Sequence, residues 1–245
     1  MNTANVIPKT KNPNVSKCSI CKELGHNKRS CKTKISSPIV ETPIVETTPP
    51  PVNVDEAMND GYTETLLKEQ FALHKSYVKG RIETTIKIGV KVRLPCIPED
   101  ISENIIKKII HNKLHDKTSR WDCKKGDLES KIEGKQECKS FTSDGPLSFT
   151  PSSDWDVIYF LDAKKWLNNV FLLYKVALKR TSTEWKNIQV SKSQTFEDQA
   201  KQGRRPRITW DSLYPQIKTH CTKVYEGTFD DIFIPLEATE SVDSR

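Results

Sequence analysis

Residues 125–163 read KGDLESKIEGKQECKSFTSDGPLSFTPSSDWDVIYFLDA, and this stretch decides the fold. Residues 125–142 predict two strands that turn near Gly134. Trp155 to Leu161 (WDVIYFL) is a continuous apolar run, too short for a buried helix and rich in β-formers, which predicts a central strand buried on both faces. Asp127 precedes Glu137 by ten residues and Lys139 follows Glu137 by two, so period-two geometry sends residues 137 and 139 to one face. Hydrolysis of a phosphodiester calls for a divalent ion between acidic side chains and benefits from a lysine near the nucleophile or the developing charge. Two carboxylates and one ammonium on adjacent strands meet that need. Acids and lysines alternate here, however, so Glu129/Lys131 and Glu133/Lys135 are E-x-K pairs too. The ten-residue gap, with room for a hairpin turn, favours Glu137/Lys139; a charged strand face can equally be solvated surface.

Working outward, Leu66, Leu67, Phe71 and Leu73 recur at helical spacing and predict a helix from Thr63 to about Tyr77. Ile86, Ile88, Val90, Val92 and Leu94 then alternate, which predicts an extended segment running into Pro95. The clearest helix spans Ile101 to about Leu114, with Ile101, Ile105, Ile106, Ile109 and Ile110 as its apolar stripe and Lys107, Lys108 and Asn112 opposite. Asp100 and Glu103 have the spacing of a capping box at its start. On the C-terminal side, Val170–Leu178 reads as a strand with a helix still possible, Ser193–Gln202 as a helix ended by Gly203, and Trp210–Ile217 as a short helix. Thr228–Ile234 reads as a last strand. The order implies an α/β fold around a mixed sheet flanked by helices.

With those elements in place, residues 126–163 resemble the core of PD-(D/E)XK nucleases, especially type II restriction endonucleases. EDISENIIKKIIHNKL (99–114) and SQTFEDQAKQGRRPRITWDSL (193–213) are similar to further parts of that group, so the likeness covers roughly residues 85–220. It implies a restriction-endonuclease-like domain over residues 61–235 that cleaves double-stranded DNA with Mg2+ as a homodimer. Asp127 and Glu137 would ligate Mg2+ with the main-chain carbonyl of Cys138, and Lys139 would orient or activate the water. Glu103 is the candidate for a further acid from the first helix, weighed against its capping role. Gly126 stands where the motif name would put proline. The rival function is a nucleic-acid-binding protein that keeps this fold without cleaving.

Lys192, Lys201, Arg204, Arg205 and Arg207 cluster around Gly203 and Pro206. Arginine forks suit phosphate oxygens and guanine edges, which predicts a DNA clamp. A solvated loop paired with Glu197, Asp198 and Asp211 is the alternative. His111, His115 and His220 lack ligand spacing, and Cys96, Cys123, Cys138 and Cys221 lack paired spacing; they read as ordinary histidines and reduced thiols. The five tryptophans read as packing.

At the other end, KCSICKELGHNKRSCK places Cys18, Cys21, His26 and Cys31 in a C-x2-C-x4-H-x4-C pattern, with Gly25 allowing a tight turn before the histidine. Four such ligands suit tetrahedral zinc. The pattern resembles the CCHC zinc knuckle of nucleocapsid-type proteins, which implies binding of single-stranded nucleic acid. No aromatic is present for stacking, so the expected contact is mainly electrostatic, and a structural or protein-binding module remains open. A knuckle joined to such a nuclease implies, by analogy, a viral or mobile-element setting. Residues 1–34 hold eight Lys or Arg against one acid, which accounts for the net charge of +7 and leaves 31 basic and 31 acidic side chains beyond them. Residues 35–60, with PIVET twice and three consecutive prolines, read as an extended, disordered linker, and 236–245 as a flexible tail. No run of eighteen apolar residues and no signal-peptide core are present, so an intracellular protein is expected, with no membrane partner.

Overall fold

A computed structural model describes residues 61–91, 93–121 and 127–236. The basic N-terminal region with Cys18, Cys21, His26 and Cys31, the 35–60 linker, and residues 237–245 of the tail lie outside the described residues. In order, the elements are α1 (Glu64–Ile88), α2 (Glu99–Lys113), β1 (Arg120–Trp121), β2 (Leu128–Ser130), β3 (Gly134–Phe141), β4 (Leu147–Ser148), β5 (Val157–Asp162) and β6 (Val170–Val176). Then come α3 (Thr183–Lys186), β7 (Gln189–Ser191), β8 (Gln194–Thr195), α4 (Phe196–Lys201), β9 (Arg207–Ile208), α5 (Trp210–Ile217) and β10 (Cys221–Thr228).

Six strands form one sheet in the order β1-β2-β3-β5-β6-β10. Only β3 and β5 run parallel; the other neighbours are antiparallel. The WDVIYFL run becomes β5, paired on both edges, and its alternation feeds two cores. Val157, Tyr159 and Leu161 join the one under α1 and α2, while Ile158 and Phe160 join one on the opposite face. The β2–β3 hairpin turns through Lys131–Glu133 into Gly134 at φ 74, where an added Cβ would lie 2.4 Å from Asp156 Oδ2. The mixed sheet with helices on it is the α/β arrangement that the sequence predicts.

On the helical face, Ile101, Ile105, Ile106, Ile109 and Ile110 of α2 are all buried. Full burial of one such side chain contributes roughly 1.5–3 kcal/mol, so this stripe outweighs α2's lack of an N-terminal side-chain cap. The cap position is Pro98, with no side-chain cap hydrogen bond, while Asp100 accepts the Tyr62 hydroxyl. The Asp100/Glu103 capping box is therefore not formed. The expected polar face of α2 also needs correction: Lys107 and Asn112 are buried, and Asn112 Nδ2 donates to Ile232 O at 2.9 Å. α1 is anchored by Leu67, Phe71 and Val78, with Phe71 stacked on Phe229 at 4.1 Å between centroids. It runs on to Ile88 and stops at left-handed Gly89. The extended segment predicted from Ile86 and Ile88 is thus helix at its start. Ile86, Ile88, Val90 and Leu94 are all exposed, so their alternation meets no sheet neighbour that would make it a strand.

The opposite face is covered by an aromatic core in which Phe149, Trp155, Trp185 and Phe196 meet edge to face, Trp155 and Trp185 at 5.2 Å and 90°. The helix predicted from Ser193 starts later. Gln194–Thr195 first pairs with β7, and α4 then opens on a true capping box, Thr195 with Asp198. The last strand is β10, not Thr228–Ile234. Asp231 accepts from the Thr228 N–H and hydroxyl, at 2.8 and 2.7 Å, and bends residues 231–233 into a 3-10 turn. That turn drops Phe229 and Ile232 into the helical core. Among the described residues no helix is long and apolar enough to cross a membrane.

Candidate active site

The β2–β3 ladder pairs Ser130 with Gly134, Glu129 with Lys135 and Leu128 with Gln136, so the next rung sets Asp127 opposite Glu137. Asp127 adopts a left-handed φ of 65, a conformation that Asp tolerates better than most residues. Its Oδ2 accepts the Cys138 N–H at 3.1 Å. In an extended strand the N–H and C=O of one residue leave on the same side, which puts the Cys138 carbonyl on the Asp127 edge, beyond the last rung to β2. Glu137 and Lys139 share a face, as period two requires, and form an ion pair of 2.5 Å, with the ammonium 5.9 Å from the Phe149 ring. Trp121 Nε1 donates to Glu103 at 2.6 Å, and that carboxyl reaches Asp127 from α2.

Burial separates the three E-x-K pairs that spacing leaves open. Glu129 and Lys131 are exposed. Glu133 is held by Lys175, by the Tyr159 hydroxyl at 2.6 Å and by Gln136 at 2.8 Å, while Lys135 is exposed and paired with Asp154. Only Glu137, 8% exposed, and Lys139 meet further acids in a partly dry setting.

Burial pushes the Glu137 carboxyl up to about 7, against the pull of Lys139 and with help from neighbouring Asp127. Burial likewise raises Asp127 and Glu103 above the usual carboxylate range. For Lys139, burial disfavours the charge but Glu137 and Asp127 outweigh it, so the amine is held above its ordinary value. The carboxyls form a chain, Glu103 to Asp127 to Glu137. Among the described residues no three His, Cys, Asp or Glu side chains form a ready metal cage. Mg2+ does not require one: it keeps several waters and takes one or two carboxylates together with substrate phosphate oxygens. Clustered, largely desolvated carboxylates are donors of the hard kind such an ion prefers, so the residues fit it.

Asp127 and Glu137 open into a cleft of about 420 Å³, whose far wall is Thr150, Ser152, Ser153 and Asp154. That wall is absent from the sequence reading, because a Ser/Thr/Pro run carries no spacing signal beyond that of a loop. The Lys135–Asp154 ion pair, 2.7 Å long, is among the residues lining the same cleft.

Lys192, Lys201, Arg204, Arg205 and Arg207 are all exposed, on the β7–β8 hairpin, α4 and the segment after it. Of the acids expected to neutralise them, Glu197 pairs with Arg180 at 3.3 Å and more loosely with Lys201 at 3.9 Å. Asp198 is turned back onto Thr195. Among the described residues Lys192, Arg205 and Arg207 form no ion pair. Cys96, Cys138 and Cys221 are free thiols, and Cys123 lies outside the described residues.

The profile of the Bsp6I restriction endonuclease family matches residues 64–215, more than half of the chain. A type II restriction enzyme, Bsp6I of Bacillus sp. (strain RFL6), is 33% identical over 112 residues, 46% of this chain and 61% of that enzyme. The matched segment therefore spans less than two thirds of that relative's length. No solved structure matches. The matched region holds α1 through most of α5, and with them Glu103, Asp127, Glu137 and Lys139: the chain belongs to the Bsp6I restriction endonuclease family.

Proposed function

We propose that the protein is a type II site-specific endonuclease that hydrolyses phosphodiester bonds of double-stranded DNA with Mg2+. The supporting observation is that Asp127 and Glu137 meet at a cleft, both raised above their ordinary values by burial, with Lys139 ion-paired to Glu137 beside them. Asp127 and Glu137, with the Cys138 carbonyl, would hold the ion, and Glu103 would adjust the charge beside it. When bound, the ion supplies Lewis-acid polarisation of the scissile phosphate and a water nucleophile. Lys139 stays charged beside Glu137 and presents an N–H to the phosphate oxygens where negative charge develops. The cluster of Lys192, Lys201, Arg204, Arg205 and Arg207 would hold the duplex, and two copies of the chain would present two such sites to its two strands. At the N-terminus, Cys18, Cys21, His26 and Cys31 would bind Zn2+ as a knuckle for single-stranded nucleic acid, its basic charge raising the local concentration on DNA.

The test is digestion of mixed-sequence plasmid DNA with Mg2+, comparing wild type with Glu137→Ala and Lys139→Ala. Discrete fragments from wild type alone support the reading. Fragments from the variants too would remove these residues from the chemistry, and intact DNA from wild type on every substrate would remove the reading itself.

A further inference from the structure

The basic arm at residues 189–208 is not one uniform charged loop. Its cations fall into two kinds by what they touch. Arg204 is fixed: one terminal nitrogen, Nη1, donates to Gln194 Oε1 at 3.3 Å and Gln202 Oε1 at 3.5 Å. Those amides are themselves joined, Gln194 Nε2 to Gln202 Oε1 at 3.4 Å and Gln199 Nε2 to Gln194 Oε1 at 3.2 Å. The backbone beneath is also tied down, with Gly203 at φ 67 and the Arg204 N–H on Gln199 O at 3.0 Å. A guanidinium has five N–H donors in a rigid fork, and using one edge against neutral amides leaves the others directed and uncompensated. Arg205, Arg207 and Lys192 are exposed and have no comparable side-chain partners among the described residues.

The arm is also coupled to the chemistry through backbone. β9 pairs with β4, Ser148 opposite Arg207 and Leu147 opposite Ile208, and the Phe149 N–H donates to Pro206 O at 3.0 Å. Phe149 lies under Lys139, and Thr150, the next residue, begins the far wall of the cleft. A contact made by Arg204 is therefore held three residues from β9, whose partner β4 leads into the cleft, by hydrogen bonds rather than a free loop.

Resting on the endonuclease reading, we propose that Arg204, oriented by Gln194 and Gln202, is a specificity-determining residue that reads a base edge in the major groove, while Arg205, Arg207 and Lys192 take phosphates. A pre-oriented arginine fork suits the paired acceptors O6 and N7 of guanine, and the exposed Gln202 amide beside it suits an adjacent base. Phosphate contacts need charge but no orientation.

The experiment selects bound duplexes from a randomised DNA pool with the full chain, without divalent metal so that cleavage is not required. Wild type is compared with Arg204→Ala, Arg204→Lys and Arg205→Ala, thermal melting confirming that each is folded. The expected result is that both Arg204 variants lose about tenfold or more discrimination at a G·C position, whereas Arg205→Ala keeps the preference and lowers the salt slope of binding by about 1. An unchanged preference in Arg204→Lys and Arg204→Ala, with wild type still selective, overturns the inference alone. Wild type that selects no sequence overturns it together with the site-specific reading.

Discussion

Glu137→Gln should flatten the pH dependence of folding stability, and the size of the effect follows from where the carboxyl sits. In the folded chain burial keeps its proton up to about 7; in the unfolded chain the proton leaves near the ordinary 4.5. Between those values the folded state binds more protons, so stability falls as pH rises from about 4.5 to about 7 and is level above. At about 1.4 kcal/mol per pH unit, the displacement amounts to about 3 kcal/mol as a ceiling. Asp127 and Glu103, also raised by burial, push in the same direction. Asp116 and Asp156 are held below their ordinary values, so their contribution is lost only as pH falls through more acidic values, outside this window. Urea unfolding followed by tryptophan fluorescence, from about pH 5 to about pH 8, reads the slope directly. Wild type should lose up to about 3 kcal/mol more than Glu137→Gln across the range. The opposite push of His74 and His111, both lowered by burial, is common to the two proteins. At the alkaline end, Mg2+ at about 100 times its Kd should return about 2.7 kcal/mol to wild type and little to the variant. Parallel profiles for the two proteins would refute the argument that burial holds a proton at this site.

Lys139→Ala should lower single-turnover cleavage by about 10²–10³-fold while duplex affinity, read by fluorescence anisotropy, holds; an equal loss of affinity would make it a binding residue instead. Gly134→Ala should cost about 1–2 kcal/mol in urea unfolding, because it puts a side chain at φ 74 and against Asp156, and a neutral result would mean that the turn readily changes conformation. Purified full-length protein should carry one equivalent of zinc by atomic absorption, lost in Cys21→Ser, with cleavage at the same sites; zinc retained by that variant would dismiss the knuckle.

The central strand and the isoleucine stripe of α2 were legible because their burial follows from composition and period alone. β10 was not: its sequence, CTKVYEGT, alternates poorly, because it is an edge strand with one buried residue, Tyr225. The apolar DIF that follows looked more strand-like than the strand, yet Asp231 bends it away. At the site, Asp127, Glu137 and Lys139 could be named from spacing. The ten-residue gap already favoured their pair, and the tertiary fact that Glu133 is held by Lys175 and Tyr159 adds a second reason that spacing could not supply. Glu103 was balanced between cap and site for the same reason: one residue in one helical turn cannot report which neighbour it meets, and here it meets Trp121.

The sheet parts the molecule into two cores that share strands but not side chains, and this separation bears on how the family can change. Glu137 and Lys139 project on the aromatic side, so substitutions among Phe149, Trp155 and Trp210 alter the ground on which the chemistry and the basic arm rest. Substitutions among the isoleucines of α2 are felt through β5, through Cys138 of β3, which lies in the same core between Glu137 and Lys139, and through Glu103, which reaches Asp127. Changes more than one layer apart combine nearly additively. Away from Cys138 and Glu103, a lineage can therefore trade one apolar residue of its helical half for another and pass the consequence on as stability.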